Sequence, residues 1–251
     1  MNLQKIRKFL EKCNILIEVI DSRAIEQTRL IFFEKKYKDK LIIVATKKDL
    51  LESQRIEKLK EDYPNINFLN TRDRAEVNQL KQKIFEIAFK KMQKNNRNNR
   101  ISIFVFGLPN VGKSSLINAL ANRKVAAVGF RVGITKGIQW IKLADNILLL
   151  DSPGIIKPKT DEYDLTLSAS IDAEKLKQPY LAASRLLERF FKEKKQSKVF
   201  EYFKIPAQKN PSQTILEIAK KRGFYIKGGE LNLDQAARVI IREWQKGRLK
   251  I

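Results

Sequence analysis

Apolar positions along this chain fall into two regimes: short, nearly continuous runs alternating with helical periodicity, then helical periodicity alone beyond about Ser170. The runs Ile15 to Ile20, Leu41 to Ala45, Ile66 to Leu69, Ile101 to Phe106 and Ile147 to Leu150 predict mostly parallel strands covered on both faces. Between them, the stretch to about Tyr37, Glu52 to Glu61, the Val77, Leu80, Ile84, Ile87 series and Ser115 to Ala121 predict helices. Ile138 to Leu143 reads as a further strand, joined to Ile147 by the turn Ala144-Asp145-Asn146, and such a hairpin makes it the antiparallel member of the sheet. Polar Lys94 to Arg100 has nothing to bury and reads as an exposed connector. Tyr180 to Glu193, Ser212 to Arg222 and Asp234 to Lys246 predict the later helices, with Gly223 and Gly247 at C-caps and Asp234 as an N-cap. The expected architecture is an α/β domain over residues 1–170 and a small all-α domain over residues 171–251.

Charge adds a partner class to this picture. With 51 Lys and Arg against 28 Asp and Glu, the 251 residues carry a formal charge of +23. That surplus points to a polyanion, most often nucleic acid, the alternative being lysines that only solvate helix faces. The lone Cys13 and the absence of His exclude an intramolecular disulfide and a Cys/His metal cluster, and cytoplasm is the expected compartment. The run near Ile15 to Ile20 is broken by Glu18 and ends at Asp21, too short and charged for a membrane span or signal peptide.

Candidate chemistry begins at Gly107-Leu108-Pro109-Asn110-Val111-Gly112-Lys113-Ser114, placed after a strand and before a helix. Glycines at these spacings let successive backbone N–H groups turn inward on phosphate oxygens, and the next helix offers its positive end to the same anion. Lys113 then reaches the β- and γ-phosphates and the Ser114 hydroxyl ligates Mg²⁺. Asp151, ending an apolar run, supplies an acid near that metal, while the Gly154 N–H serves the γ-phosphate. Thr135, in the irregular stretch between them, adds a hydroxyl for the metal and a contact that depends on the γ-phosphate. A carboxylate at a strand end can accept from both the ring N–H and the exocyclic amine of guanine; Asp49 in Thr46-Lys47-Lys48-Asp49 fits, with the Lys47 stem along the base.

Taken with Asp21-Ser22-Arg23, Gly133 to Trp140, Leu149 to Ile155 and the tail segments Arg222-Gly223 and Gly228 to Asp234, the motif order resembles the circularly permuted ribosome-assembly GTPases of the YlqF/RbgA type. The resemblance implies a P-loop GTPase, circularly permuted, that binds the large ribosomal subunit or its precursor late in assembly and links that association to GTP or GDP. It assigns GTP binding to Thr46, Lys47, Asp49, Asn70, Thr71, Asn110, Val111, Gly112, Lys113, Ser114, Ser115, Thr135 and Gly154. Mg²⁺ falls to Ser114, Thr135 and Asp151, and the catalytic groups are Asn110, Lys113, Thr135 and Gly154. Thr46 stands where the family usually has Asn, which implies weakened guanine binding, and Asn70-Thr71 only loosely matches the third base contact. Ile155 replaces a water-orienting Gln. With no His to assist, Asn110 becomes the candidate to hold K⁺ against the phosphates, turn geometry being the other reason for Asn there.

In the last helix Ala237, Ile240, Ile241 and Trp244 form a core face, while Arg238, Arg242 and Lys246 form a basic stripe, either an rRNA backbone contact or a solvated face. The expected activity is slow GTP hydrolysis by a monomer, stimulated by ribosomal particles. The alternative is a nucleotide-gated RNA-binding module with incidental hydrolysis; no lipidation motif or long amphipathic anchor supports a membrane-surface role.

Overall fold

The computed structural model describes residues 3–94, 100–125, 139–151, 162–167, 169 and 171–250. Two compact units emerge, Met1–Pro158 and Lys159–Ile251.

The first unit is built on a six-stranded sheet of order β3-β2-β1-β4-β6-β5. Its strands are β1 (Ile15–Asp21), β2 (Leu41–Thr46), β3 (Ile66–Phe68), β4 (Ile101–Phe106), β5 (Gln139–Ala144) and β6 (Ile147–Asp151). All neighbours pair in parallel except β5, which runs antiparallel to β6 at the edge as the hairpin turn predicts. Helices α1 (Leu3–Lys12), α2 (Ile25–Thr28), α3 (Ile31–Lys36), α4 (Ser53–Asp62), α5 (Arg74–Lys94) and α6 (Lys113–Ala121) complete the unit. Phe9 of α1 stacks on Phe104 at 5.6 Å, and Phe33 of α3 meets Phe106 edge-on at 6.0 Å, while α5 and α6 also pack on β4. Every residue of β1 is buried, as a central strand requires.

In the first unit two features depart from the expected pattern. Helix α1, with Ile6 and Leu10 buried, precedes the first strand. The single helix expected before Tyr37 is split into α2 and α3, because the buried Glu18 of β1 accepts a hydrogen bond from the Leu30 N–H (2.6 Å) and breaks the chain there.

The second unit contains α7 (Glu162–Leu167), α8 (Pro179–Lys192), α9 (Gln196–Phe203), α10 (Pro211–Arg222) and α11 (Leu233–Gln245). Ala237, Ile240, Ile241 and Trp244 are fully buried, as the apolar face of α11 predicts, and Trp244 meets Phe190 of α8 edge-on at 6.1 Å. Gly223 ends α10 in the left-handed conformation (φ 64°). The N-cap of α11 is Asn232 rather than Asp234: the Asn232 side chain accepts from the Gln235 N–H, leaving Asp234 in the first turn. Among the described residues no helix is long and apolar enough to cross a membrane.

Candidate active site

Strand register gathers the candidate residues. Asp21 pairs with Thr46, the end of β4 leads into the loop at Gly107, and Asp151 pairs with Val105. Four adjacent parallel strands, β2, β1, β4 and β6, therefore deliver their C-terminal ends to one edge, where ligands of open α/β sheets bind. A cavity of about 380 Å³ lined by Lys12, Asn14, Arg100, Ser102 and Trp140 lies instead at the start of β1 and β4, away from these residues.

At the site edge, Gly107 takes φ 149° and a Cβ there would run into the Val19 carbonyl, so the loop leaves β4 pressed against β1. Gly112 takes φ 103°, and a Cβ there would stand 2.7 Å from the Thr46 hydroxyl. That hydroxyl makes a short hydrogen bond to the Val111 carbonyl and lies 3.3 Å from the Ile20 carbonyl. Thr46 is thus a buried brace between the β2 end and the phosphate-binding loop.

Lys113 opens α6 almost fully buried, its ammonium donating to the carbonyls of Leu108 (2.7 Å) and Gly107 (3.3 Å). Burial lowers its pKa to about 8, Asp151 opposing the shift and Lys47 adding to it. Ser114 and Ser115 follow half-buried on α6, Val111 is buried, and Asp151 is 1% exposed. Asn110 adopts a left-handed backbone (φ 58°), a conformation Asn tolerates, so turn geometry is served at this position.

Sequence reasoning gave Asp21-Ser22-Arg23 no chemical role. Its carboxylate accepts from Arg23 Nε (3.0 Å) and Nη2 (2.8 Å) and from Lys47 Nζ (2.7 Å), and the Lys47 ammonium also donates to the Asn110 carbonyl (2.7 Å). Burial opposes ionisation of Asp21, but the Arg23 and Lys47 charges outweigh it and hold the carboxyl far below the usual carboxylate range. Ser22 completes the join by donating its hydroxyl to the Thr46 carbonyl (2.6 Å). Glu76 also went unnoticed. It pairs with Lys48 and accepts from the Asn70 N–H (2.8 Å), tying the segment of Asn70 and Thr71 to the loop where Asp49 stands exposed. Nothing in the spacing marks Glu76; the triplet, with an Asp and an Arg closing an apolar run, did carry a signal.

Thr135 and Gly154, expected at the γ-phosphate, and Ile155 lie outside the described residues. In the second unit the α11 stripe is partly engaged: Arg238 donates to the carbonyls of Ala173 (2.8 Å) and Glu174 (3.0 Å), and Arg242 pairs with the Glu174 carboxylate, while Lys246 is exposed.

A family model described as 50S ribosome-binding GTPase matches residues 102–216. Over 255 residues the chain is 30% identical to ribosome biogenesis GTPase A of Bacillus licheniformis, covering 96% of this chain and 89% of that protein. This chain belongs to the YlqF/RbgA family of circularly permuted GTPases. An uncharacterized GTP-binding protein of Methanocaldococcus jannaschii is 36% identical over 248 residues, 97% of this chain. The chain spans 65% of that relative's length, 60% of GTPase grn1 of Schizosaccharomyces pombe and 49% of guanine nucleotide-binding protein-like 3 of Mus musculus. GNP-bound YlqF from T. maritima shares the fold, with a TM-score of 0.63 at 22% identity, over 99% of this chain and 94% of that one. Family membership fits the strand order: the segment carrying Asp49 precedes the phosphate-binding loop in sequence, yet both stand on the same sheet edge.

Proposed function

We propose that this chain binds and hydrolyses GTP in the cytoplasm and couples its nucleotide state to association with a precursor of the large ribosomal subunit, acting as a monomer. The observation that carries this reading is the convergence of Thr46-Lys47-Lys48-Asp49, the loop Gly107 to Ser114, and Asp151 on the C-terminal ends of adjacent parallel strands. Membership of a family that includes ribosome biogenesis GTPase A supports the ribosomal part.

In this reading the exposed Asp49 accepts from the two guanine donors that adenine does not present together. Asn70, held through its N–H by Glu76, and Thr71 flank the base. Backbone N–H groups from Asn110 to Ser115 and the start of α6 take the phosphates. Lys113 exchanges its loop carbonyls for β- and γ-phosphate oxygens, gaining a charged partner for a buried ammonium. The hydroxyl of Ser114 and the carboxylate of Asp151 are the hard oxygen donors that suit Mg²⁺, which neutralises phosphate charge when bound; Thr135 adds a third oxygen. The Asn110 side chain is the group we assign to K⁺, and Thr135 and Gly154 to the γ-phosphate.

The decisive experiment measures multiple-turnover GTP hydrolysis with and without purified large subunits, in K⁺ and in Na⁺, alongside co-sedimentation of the protein with those subunits. Slow basal turnover raised by K⁺ and further by particles, with co-sedimentation that differs between GTP analogue and GDP, is expected. Equal co-sedimentation with GTP analogue, GDP and no nucleotide removes the coupling. Nucleotide-dependent binding without stimulated turnover favours an RNA-binding module whose hydrolysis is incidental.

A further inference from the structure

Between α10 and α11 the second unit carries a short hairpin clamped at its base. At one side Gly223 closes α10 and the Phe224 N–H returns to the Ala219 carbonyl (3.0 Å). At the other, the Asn232 N–H donates to the Phe224 carbonyl (2.8 Å) while its side chain caps α11. Tyr225 and Leu231 pair antiparallel between these clamps, the Ile226 N–H donates to the Glu230 carbonyl (2.9 Å), and the Gly229 N–H to the Ile226 carbonyl (3.2 Å). Gly228 and Gly229 sit at φ 102° and 84° with nothing within 4 Å, so backbone conformation and not crowding calls for glycine at the tip.

This clamped hairpin presents Tyr225 and Ile226 to solvent, 57% and 47% exposed. Exposed Lys221, Arg222 and Lys227 flank them in sequence, and Arg222 is steadied over the Phe203 ring at 5.8 Å. From Lys220 to Leu231 the sequence has four basic residues and a single acidic one, in a chain of net charge +23. A polar surface needs no outward aromatic for solubility, and an exposed ring on a segment with exposed cations complements a ligand that carries both phosphates and flat bases. On α11, by contrast, Arg238 and Arg242 are turned onto Ala173 and Glu174, which leaves the hairpin better equipped to meet such a ligand.

We propose that the α10–α11 hairpin is a contact for unpaired RNA, with a base stacked on Tyr225 and the flanking phosphates taken by Lys221, Arg222 and Lys227. The ribosomal particle as source of that RNA rests on the function proposed above; the contact itself is tested without nucleotide. Full-length protein is titrated against a fluorescein-labelled 20-nucleotide single strand of mixed sequence, the same sequence as duplex, and phosphatidylglycerol vesicles. Tyr225→Ala weakens single-strand binding about 5- to 100-fold, Tyr225→Phe and Tyr225→Trp stay near wild type, and the duplex responds less. Lys221→Glu with Lys227→Glu weakens binding and lowers the slope of log affinity on log salt by about 1.4. Circular dichroism melting and GTP affinity, measured on each variant, separate loss of the contact from misfolding and from failure of the nucleotide-site reading. Single-strand affinity of Tyr225→Ala within twofold of wild type overturns the proposal, as does loss of vesicle binding with RNA binding intact, which assigns the hairpin to a lipid surface.

Discussion

Lys47 Nζ lies 2.7 Å from Asp21 Oδ2, and the same ammonium reaches the Asn110 carbonyl at 2.7 Å. One side chain from the base-reading segment therefore grips both the β1 end and the phosphate-binding loop. Asp21 and Arg23 have no exposed side-chain surface, so the cluster depends on charge balance within itself.

Replacing Asp21 with Asn keeps the shape and leaves Arg23 and Lys47 without their buried counter-charge. We expect a loss of about 3–5 kcal/mol in urea unfolding at neutral pH. The acid response gives the sign a second check. The native Asp21 carboxyl titrates below its unfolded value of 3.8, so its stabilisation is complete above that pH and is lost as pH falls further. Stability of Asp21→Asn should vary less with pH over that acid range; an unchanged acid profile refutes the assignment.

Thr46 and Gly112 form a contact that should behave as a unit. Thr46→Val preserves volume but leaves the buried Val111 carbonyl without its donor, at about 1–3 kcal/mol by chemical unfolding. Gly112→Ala strains a backbone at φ 103° and pushes a methyl onto the Thr46 hydroxyl, so GTP affinity should fall at least tenfold. GTP affinity of Gly112→Ala equal to wild type would refute this account of the loop.

The Lys113 ammonium, with a pKa near 8, predicts proton uptake on nucleotide binding. With the pKa lowered toward 8 by burial, part of the free protein carries neutral Lys113 at pH 8.5, and phosphate oxygens favour the charged form, so binding takes up protons and affinity drops as pH rises above that value. Calorimetry of GTP analogue binding at pH 8.5 in two buffers of different ionisation enthalpy should give different heats. Lys113→Met should remove that difference; identical heats for the wild type contradict it.

Asn110 serves a left-handed turn, and the K⁺ role assigned to it can be separated from that duty. Asn110→Gly keeps the backbone and deletes the side chain. GTP affinity within about threefold of wild type, with turnover no longer higher in K⁺ than in Na⁺, is the expected result. Persistent K⁺ stimulation confines Asn110 to turn geometry.

Much of the sheet was legible because strands buried on both faces must be apolar throughout, and the hairpin turn betrayed the antiparallel β5. The phosphate-binding loop was legible because its geometry needs glycine and lysine at fixed spacing. What bound these parts was not. Besides its neighbour Arg23, Asp21 has a partner 26 residues away in Lys47, and that of Thr46 is 65 residues away in Val111, pairings that only the three-dimensional register creates. Glu18 is a readable clue to the helix break as well as to the end of a membrane-span reading. A carboxylate within a buried apolar run demands a partner, and the Leu30 N–H that supplies it splits the helix. Helical spacing found the basic stripe of α11 but carried no trace of Glu174, which occupies Arg242.

The strand order also shapes how the molecule is made. Synthesis proceeds from the N-terminus, so the segments forming β1, β2 and β3, with the whole Asp21, Arg23 and Lys47 cluster, emerge before the loop they support. One side of β1 has no neighbour until β4 arrives at residues 101–106. Until then the edge of β1 that pairs with β4 has no partner within this chain, and an open apolar strand edge is the kind that recruits other strands. A conventional order would place the phosphate loop first; here the base-reading segments lead, and the strand that closes the central seam comes after them.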